Sequence, residues 1–272
     1  MSKDITKDSL GNRMKGYEAV SNYKLTPGMP YVIRLDGKAF HTFTRGFEKP
    51  FDDVLMLSMQ ATMKKVCEAV QGCRIGYTQS DEITVIIIDN QEATPYFDGR
   101  IQKIASITAA TATAEFTKAF RKNIDDFCTK SDMSIEENRK RYSVYEKALA
   151  SMPLFDSRVF NVPLNDITNN LWWRQADAER NSVQMVGRAY FSEKQMFKKN
   201  VKEITTMLET EKGIVWDNLP TPYKRGTCCI KIPDENGRYK WVIDRDIPRF
   251  LNEGREYVEN RLTNNTVGKE EI

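Results

Sequence analysis

Two stretches decide how this chain folds: Ile33-Arg34-Leu35-Asp36-Gly37-Lys38, and Gln79-Ser80-Asp81-Glu82 running into Ile83-Thr84-Val85-Ile86-Ile87-Ile88. Each sets a carboxylate at the end of an apolar run of β-forming residues. A carboxylate in such a place is costly to bury unless it is paired or bound to a cation. If the two strands lie side by side, Asp36 and Asp81 make an oxygen-rich site for two divalent ions, the arrangement that phosphoryl and nucleotidyl transfer needs. Gly37 adds to it, since a residue without Cβ can turn its carbonyl to a metal and let phosphates reach the backbone. The loop from Gly37 through Lys38, Ala39 and Phe40 to His41 would then offer successive N–H groups to phosphate oxygens.

Around these stretches the pattern reads as follows. Residues 31–35 form a strand, 36–50 a loop, and 52–70 a helix with Leu55, Met59, Met63 and Val66 on one stripe and Asp52 or Asp53 as its N-cap. Residues 72–77 and 83–89 make a hairpin with Thr78-Gln79-Ser80-Asp81 at its tip. A long buried helix covers 99–122, where Ala105, Ala109 and Ala112 allow close packing on a sheet. A charged helix begins in 131–137 and ends before Pro153, and 158–162 is another strand. Helices follow from Trp172 to Phe191 and over 201–208, with a capping box at Ser192-Glu193-Lys194-Gln195 and a stop at Gly213. A second hairpin joins 227–232 to 239–243, and the tail from Leu262 is polar and expected to fray. The order predicts an α+β fold, with helices on one face of a mostly antiparallel sheet and a helical second half. Residues 1–150 would form the catalytic part, and 151–272 a helical and hairpin region packed on it as one compact unit.

Composition narrows the function. With 40% hydrophobic residues in 272, the chain can bury a sizeable core. Lys and Arg exceed Asp and Glu only by 41 − 38 = 3, so any nucleic-acid contact must come from local clusters. The five cysteines form no C-x-x-C pair, which argues against a disulfide framework and a zinc knuckle, and the single histidine argues against zinc hydrolase chemistry. The chain shows no membrane span or signal segment, so a soluble, cytoplasmic protein is expected. The cations available to a triphosphate are Lys38, Arg45, Lys49, Arg100 and Lys103. The last two stand at i and i+3 at a helix start, facing the same way where main-chain amides also favour anions. For His41 two readings stand, a packed side chain or a contact to nucleotide base or phosphate.

The string Arg34-Leu35-Asp36-Gly37-Lys38-Ala39-Phe40-His41, then Lys49-Pro50, Gln79-Ser80-Asp81-Glu82, Phe155-Asp156-Ser157-Arg158-Val159 and Trp173-Arg174-Gln175-Ala176-Asp177 resembles the tRNA(His) guanylyltransferase family. The resemblance implies a palm-like domain similar to that of nucleotide polymerases and cyclases, usually in a homotetramer. It implies addition of nucleotides to the 5′ end of tRNA in the 3′→5′ direction, with ATP activating a 5′-monophosphate and the incoming NTP, GTP among them, attacking the activated end. It assigns two Mg²⁺ ions to Asp36, the Gly37 carbonyl and Asp81, with Glu82 required beside them. It also assigns phosphate and nucleotide contacts to Lys38, His41, Lys49, Ser80, Arg100 and Lys103. After Asp177 the eukaryotic tRNA(His) enzymes have His-Ile-Asn-Asn-Leu-Tyr-Asn-Thr, whereas here Glu179-Arg180-Asn181-Ser182-Val183-Gln184-Met185-Val186 keeps only the first Asn. This is similar to the Thg1-like branch, which restores truncated tRNA 5′ ends by templated addition. Asn181, Lys224 and Arg225 are candidate RNA contacts.

Three rival functions follow. The first is the Mg²⁺-dependent transferase acting on tRNA, either as a repair enzyme or by adding the extra guanylate to tRNA(His). A palm-fold nucleotide cyclase would use the same carboxylates. A non-catalytic RNA-binding module would not need Asp36, Asp81 and Glu82 together.

Overall fold

The alternation of side chains along each strand settles what covers the sheet. The computed structural model describes residues 5–89 and 94–263. Helix α1 (Ile5–Ala19) precedes β1 (Tyr31–Gly37), which leads through a short helix α2 (Phe40–Phe43) to α3 (Asp53–Ala69). The hairpin of β2 (Cys73–Gln79) and β3 (Glu82–Ile87) follows, then α4 (Ile101–Lys130) and α5 (Glu136–Ala150). After β4 (Phe155–Asn161) come α6 (Ile167–Tyr190), the short α7 (Glu193–Met196), α8 (Val201–Lys212) and α9 (Thr221–Arg225). The chain continues through the hairpin of β5 (Thr227–Pro233) and β6 (Tyr239–Asp244) to α10 (Arg255–Thr263). Most of the polar tail expected to fray lies past residue 263, outside the described residues; Leu262 itself is buried in α10.

The six strands form one antiparallel sheet in the order β4-β1-β3-β2-β5-β6. The α+β fold with an antiparallel sheet flanked by helices is therefore what the chain adopts. Coverage is on both faces, however, where helices on one face were expected. Ile33, Leu35, Ile83 and Val85 pack with the α3 and α4 stripes, while Val32, Ile75, Tyr77 and Ile86 pack with Ile167, Leu171, Phe250 and Val258. The near-continuous apolar run of β3 is the sequence signature of a strand buried on both sides. The second half supplies β4, β5 and β6 to the same sheet.

Helix α4 buries Ile104, Thr108, Ala112, Phe116, Phe120 and Ile124, a stripe with a spacing of four that keeps one face on the sheet. Phe116 and Phe120 join Phe40, Phe43, Phe47 and Phe155 in an aromatic core directly beneath the end of β1. The Phe40 ring lies 5.4 Å from Phe116 and 5.2 Å from Phe155. Asp52 does cap α3, accepting from the Leu55 N–H at 2.9 Å, and the Tyr145 hydroxyl donates to it at 2.7 Å. That second bond ties α5 to α3 and fixes the loop that leads to Lys49. The free thiols of Cys67, Cys73, Cys228 and Cys229 are buried. No described helix is long and apolar enough to cross a membrane.

Candidate active site

The ends of β1 and β3 meet where the Gly37 N–H donates to the Asp81 carbonyl at 3.0 Å. This meets the condition under which Asp36 and Asp81 could form one site, that their strands lie side by side. Ser80 and Asp81 form a two-residue turn between β2 and β3, with Ser80 at φ 48° and its hydroxyl 3.0 Å from Asp81 Oδ1. Ala39, which opens α2, is at φ 55°. Two non-glycine residues in the left-handed region thus flank the carboxylates, a concentration of backbone strain found at working sites. Gly37 is needed for a reason the sequence did not disclose: a Cβ there would come within 2.3 Å of the Phe40 ring. Phe40 is turned into the aromatic core, so only its main chain is available to a nucleotide.

The carboxylates fit a cation. Asp36 Oδ2 is buried without a hydrogen-bond partner, 3.4 Å from Arg34 Nε and 3.6 Å from an Arg158 guanidinium nitrogen. Burial pushes the Asp81 carboxyl above its usual range; a main-chain N–H and Ser80 pull it back, and the charge of Asp36 pushes it up again. A divalent ion shared by the two would relieve both the desolvation and the repulsion. Among the described residues, no three His, Cys, Asp or Glu side chains group into a ready metal cluster. The groups that could hold an ion here are therefore the two carboxylates, with main-chain oxygen beside them. The exposed His41 lies close enough to Asp81 to lower its proton affinity, so it faces the site and is not packed in the core.

Glu82, expected to be required beside the two carboxylates, is buried and engaged within the fold. Both its oxygens are held by Arg174, at 2.7 Å from Nε and 2.6 Å from a terminal nitrogen, and Thr84 donates to it at 3.2 Å. Arg174 also reaches Asp177 at 3.1 Å. Burial pushes the Glu82 carboxyl up and the Arg174 guanidinium pulls part of that back. This bidentate pair bolts α6 to the start of β3, next to the turn that carries Asp81. The Trp-Arg-Gln-Ala-Asp segment is thereby the support of the Ser-Asp-Glu turn. The side-chain pairing joins residues 92 apart in sequence, which no spacing rule reveals.

The other candidates are distributed around this centre. Lys38 and Ala39 are exposed beside Asp36. Ser80 and Asn181 line a largely apolar pocket with Phe51, Leu55, Met59 and Tyr223, in which the Phe51 and Tyr223 rings stack 4.6 Å apart. Arg100 and Lys103 line a separate groove between α1 and α4 that also includes Ser157 of β4. Arg100 is the residue before α4, 3.7 Å from Asp98, and Lys103 lies 4.8 Å from the centre of the Phe97 ring. Lys49 borders a third hollow with Lys140 and Arg141 of α5. Lys224 and Arg225 are occupied within the fold. Lys224 is 8% exposed and donates to the Asp217 carbonyl, while Arg225 faces Glu179 at 3.3 Å. Their burial and pairing leave little of either for RNA, contrary to the sequence expectation.

Sequence reasoning also passed over a charged lattice on β1 and β4. Arg34 sits opposite Arg158 and Asp36 opposite Asp156, like facing like, and the attractions run within each strand and along the diagonal. The alternation Arg34-Leu35-Asp36 and Asp156-Ser157-Arg158 was a visible signal for it.

The chain has relatives among known proteins. Residues 11–163 match the family model described as Thg1: tRNAHis guanylyltransferase. The structure is similar to that of a bacterial tRNA(His) guanylyltransferase (Thg1)-like protein in complex with ATP, with a TM-score of 0.78 and 35% identity over 93% of this chain and 98% of that one. A similar protein in complex with GTP gives 0.75 and 33% over 94% and 99%. The tRNA(His) guanylyltransferase of Schizosaccharomyces pombe is 27% identical over 81% of this chain and 79% of its own. With its paired strand-end carboxylates and more than half its length inside the family model, the chain belongs to the tRNA(His) guanylyltransferase family of nucleotidyltransferases.

Proposed function

We propose that this protein adds nucleotides to the 5′ end of tRNA in the 3′→5′ direction, with Mg²⁺, and that it serves templated repair of 5′-truncated tRNAs. The observation that carries the reading is the pairing of the Asp36 and Asp81 strand ends through the Gly37 N–H, with one Asp36 oxygen buried and without a hydrogen-bond partner. Asp36, the Gly37 carbonyl and Asp81 would hold the metal. When bound, it supplies charge neutralisation at the phosphates and acidification of the attacking hydroxyl.

The chain's own groups set up two transfers. In the first, a 5′-phosphate oxygen of the RNA attacks the α-phosphorus of ATP; pyrophosphate leaves and the end is adenylylated. In the second, the 3′-hydroxyl of the incoming NTP attacks the RNA 5′-phosphorus, its proton is lost to solvent and AMP departs. The exposed Lys38 supplies a cation where phosphate charge gathers, and His41, Ser80 and the main-chain amides of the 39–41 turn donate hydrogen bonds. Arg100 and Lys103 extend the positive surface for a triphosphate. The pocket between Phe51, Tyr223 and Asn181 is of the apolar kind that takes a nucleobase. Complexes of the bacterial Thg1-like proteins with ATP and GTP support nucleotide substrates of this class.

Repair is favoured over tRNA(His) reading by the segment after Asp177. Glu179 is committed to Arg225 and Arg249, and Arg180 to Asp177 at 2.7 Å, so these positions serve internal ion pairs. A homotetramer belongs to the same proposal and is supported by Leu10, Met14 and Tyr17, an apolar stripe on α1 that is 51%, 42% and 68% exposed. Sedimentation of the full chain checks it.

One assay tests the reaction. The protein is incubated with Mg²⁺, labelled NTPs and a tRNA lacking its first 5′ nucleotide, beside intact tRNA(His). Label at the truncated 5′ end, chosen to complement the opposite base, is the expected result. Label confined to tRNA(His) would make it a tRNA(His)-specific enzyme, label in cyclic nucleotide a cyclase, and tight binding without turnover a binding module.

A further inference from the structure

Trp172 and Trp173 are neighbours with opposite surroundings. Trp172 packs against the core formed with Leu171 and Phe250, whereas Trp173 is 51% exposed. Two guanidinium groups lie over the Trp173 ring, Arg174 at 4.5 Å and Arg34 at 5.9 Å from its centre. Arg174 cannot swing away, because Glu82 holds it in a bidentate pair. The half-exposed ring is therefore an aromatic surface backed by a guanidinium held in place. Through Arg34 it adjoins Asp36, and Arg158, on the edge strand opposite Arg34, is 56% exposed.

Joining two nucleotides requires that two bases be held, one on each side of the reacting phosphate. The apolar pocket beside Ser80 lies at the β2 end of the Ser-Asp-Glu turn. Trp173 lies over the β1 side, where it meets Arg34, and the carboxylates stand between. An exposed aromatic ring with arginines around it is how proteins stack unpaired or terminal bases while holding their phosphates. The groups at the Trp173 ring are two guanidiniums, and through Arg34 it adjoins the charged lattice of β1 and β4 in which Arg158 is the exposed cation, so the surroundings are polar and suit a base next to a phosphate more than an apolar partner. Resting on the 5′-end transfer reading above, we propose that Trp173 is the stacking platform for the 5′-terminal base of the RNA, and that Arg158 holds the adjoining phosphate. The incoming nucleotide occupies the other side.

The test uses the full-length protein and a tRNA-like hairpin with a 5′-monophosphate and 2-aminopurine as its 5′-terminal base. Wild type quenches the 2-aminopurine fluorescence on binding; Trp173→Ala loses the quench and Trp173→Phe keeps most of it. In steady state, Trp173→Ala raises KM for RNA about tenfold or more, as expected for one lost stacking contact, and leaves KM for the NTP within about twofold. Arg158→Ala weakens RNA binding and reduces its salt dependence by about one phosphate. Unchanged melting of Trp173→Ala establishes that the fold is intact. Quenching and RNA KM like wild type in Trp173→Ala would overturn the assignment. So would a changed sedimentation coefficient with unchanged RNA binding, which would place the ring against a second copy of the chain. If wild type quenches but adds no nucleotide, the platform stands and the reading of the reaction fails.

Discussion

Two arginine–carboxylate sites lie within one strand of each other and are built for different ends. At Glu82 the carboxylate is 5% exposed and both oxygens are gripped by Arg174 in hydrogen-bond geometry. At Asp36 the arginines stand off at 3.4 and 3.6 Å, and an oxygen is left buried without a hydrogen-bond partner. The same residue types make a closed bolt in one case and an open socket in the other. The difference lies in geometry: Arg174 arrives from a helix packed across the sheet, whereas Arg34 shares a strand with Asp36 and Arg158 reaches it on a diagonal from the next strand. A saturated pair stabilises; an unsaturated carboxylate keeps affinity for something else.

The contrast can be broken in order of effect. Asp36→Ala and Asp81→Ala should each lower 5′-end addition by at least about 10²-fold, with little change in melting temperature. An Asp81→Ala enzyme with full activity would remove the metal assignment. Arg174→Ala should cost about 3–5 kcal/mol of stability, because it leaves a buried carboxylate uncompensated, and denaturant unfolding measures it. Replacing both Glu82 and Arg174 with Met sharpens the comparison: stability should return to within about 1–2 kcal/mol of wild type, while the transfer rate stays low because the turn bearing Asp81 has lost its brace. Arg100→Ala and Lys103→Ala should each raise KM for the NTP by about three- to tenfold, with kcat less affected. Lys224→Met is expected to leave the salt slope of RNA binding unchanged, since that ammonium is spent on the Asp217 carbonyl.

How much of this could be read beforehand depends on whether the cause was local. The N-cap at Asp52, the stop at Gly213 and the hairpin around Ser80 and Asp81 follow from short-range rules, and the structure places them there. Helix α1 escaped notice because its described residues are almost wholly exposed and give no buried face to register as periodicity. The second covered face was missed because an all-apolar strand such as β3 reads alike whether one or both sides are packed. The pairing of Asp36 with Asp81 was legible because two strand-end carboxylates need a reason to exist. The Glu82–Arg174 bolt and the clash that requires Gly37 were not, since each depends on an approach that only the folded chain creates.

The place of β4 in the sheet carries one more consequence, for how this protein is made. β1 bears Asp36 and needs β3 on one side and β4 on the other, yet β4 is synthesised more than 100 residues after β1. Until the ribosome has released residue 161, the strand carrying the chemistry has a bare edge able to pair with other nascent chains. A fragment ending at residue 150 would hold Asp36, Asp81 and Glu82 and still be an aggregation-prone sheet. Engineering by truncation must likewise spare α6, which carries the Arg174 that neutralises Glu82, and β5, which covers the other side of β2.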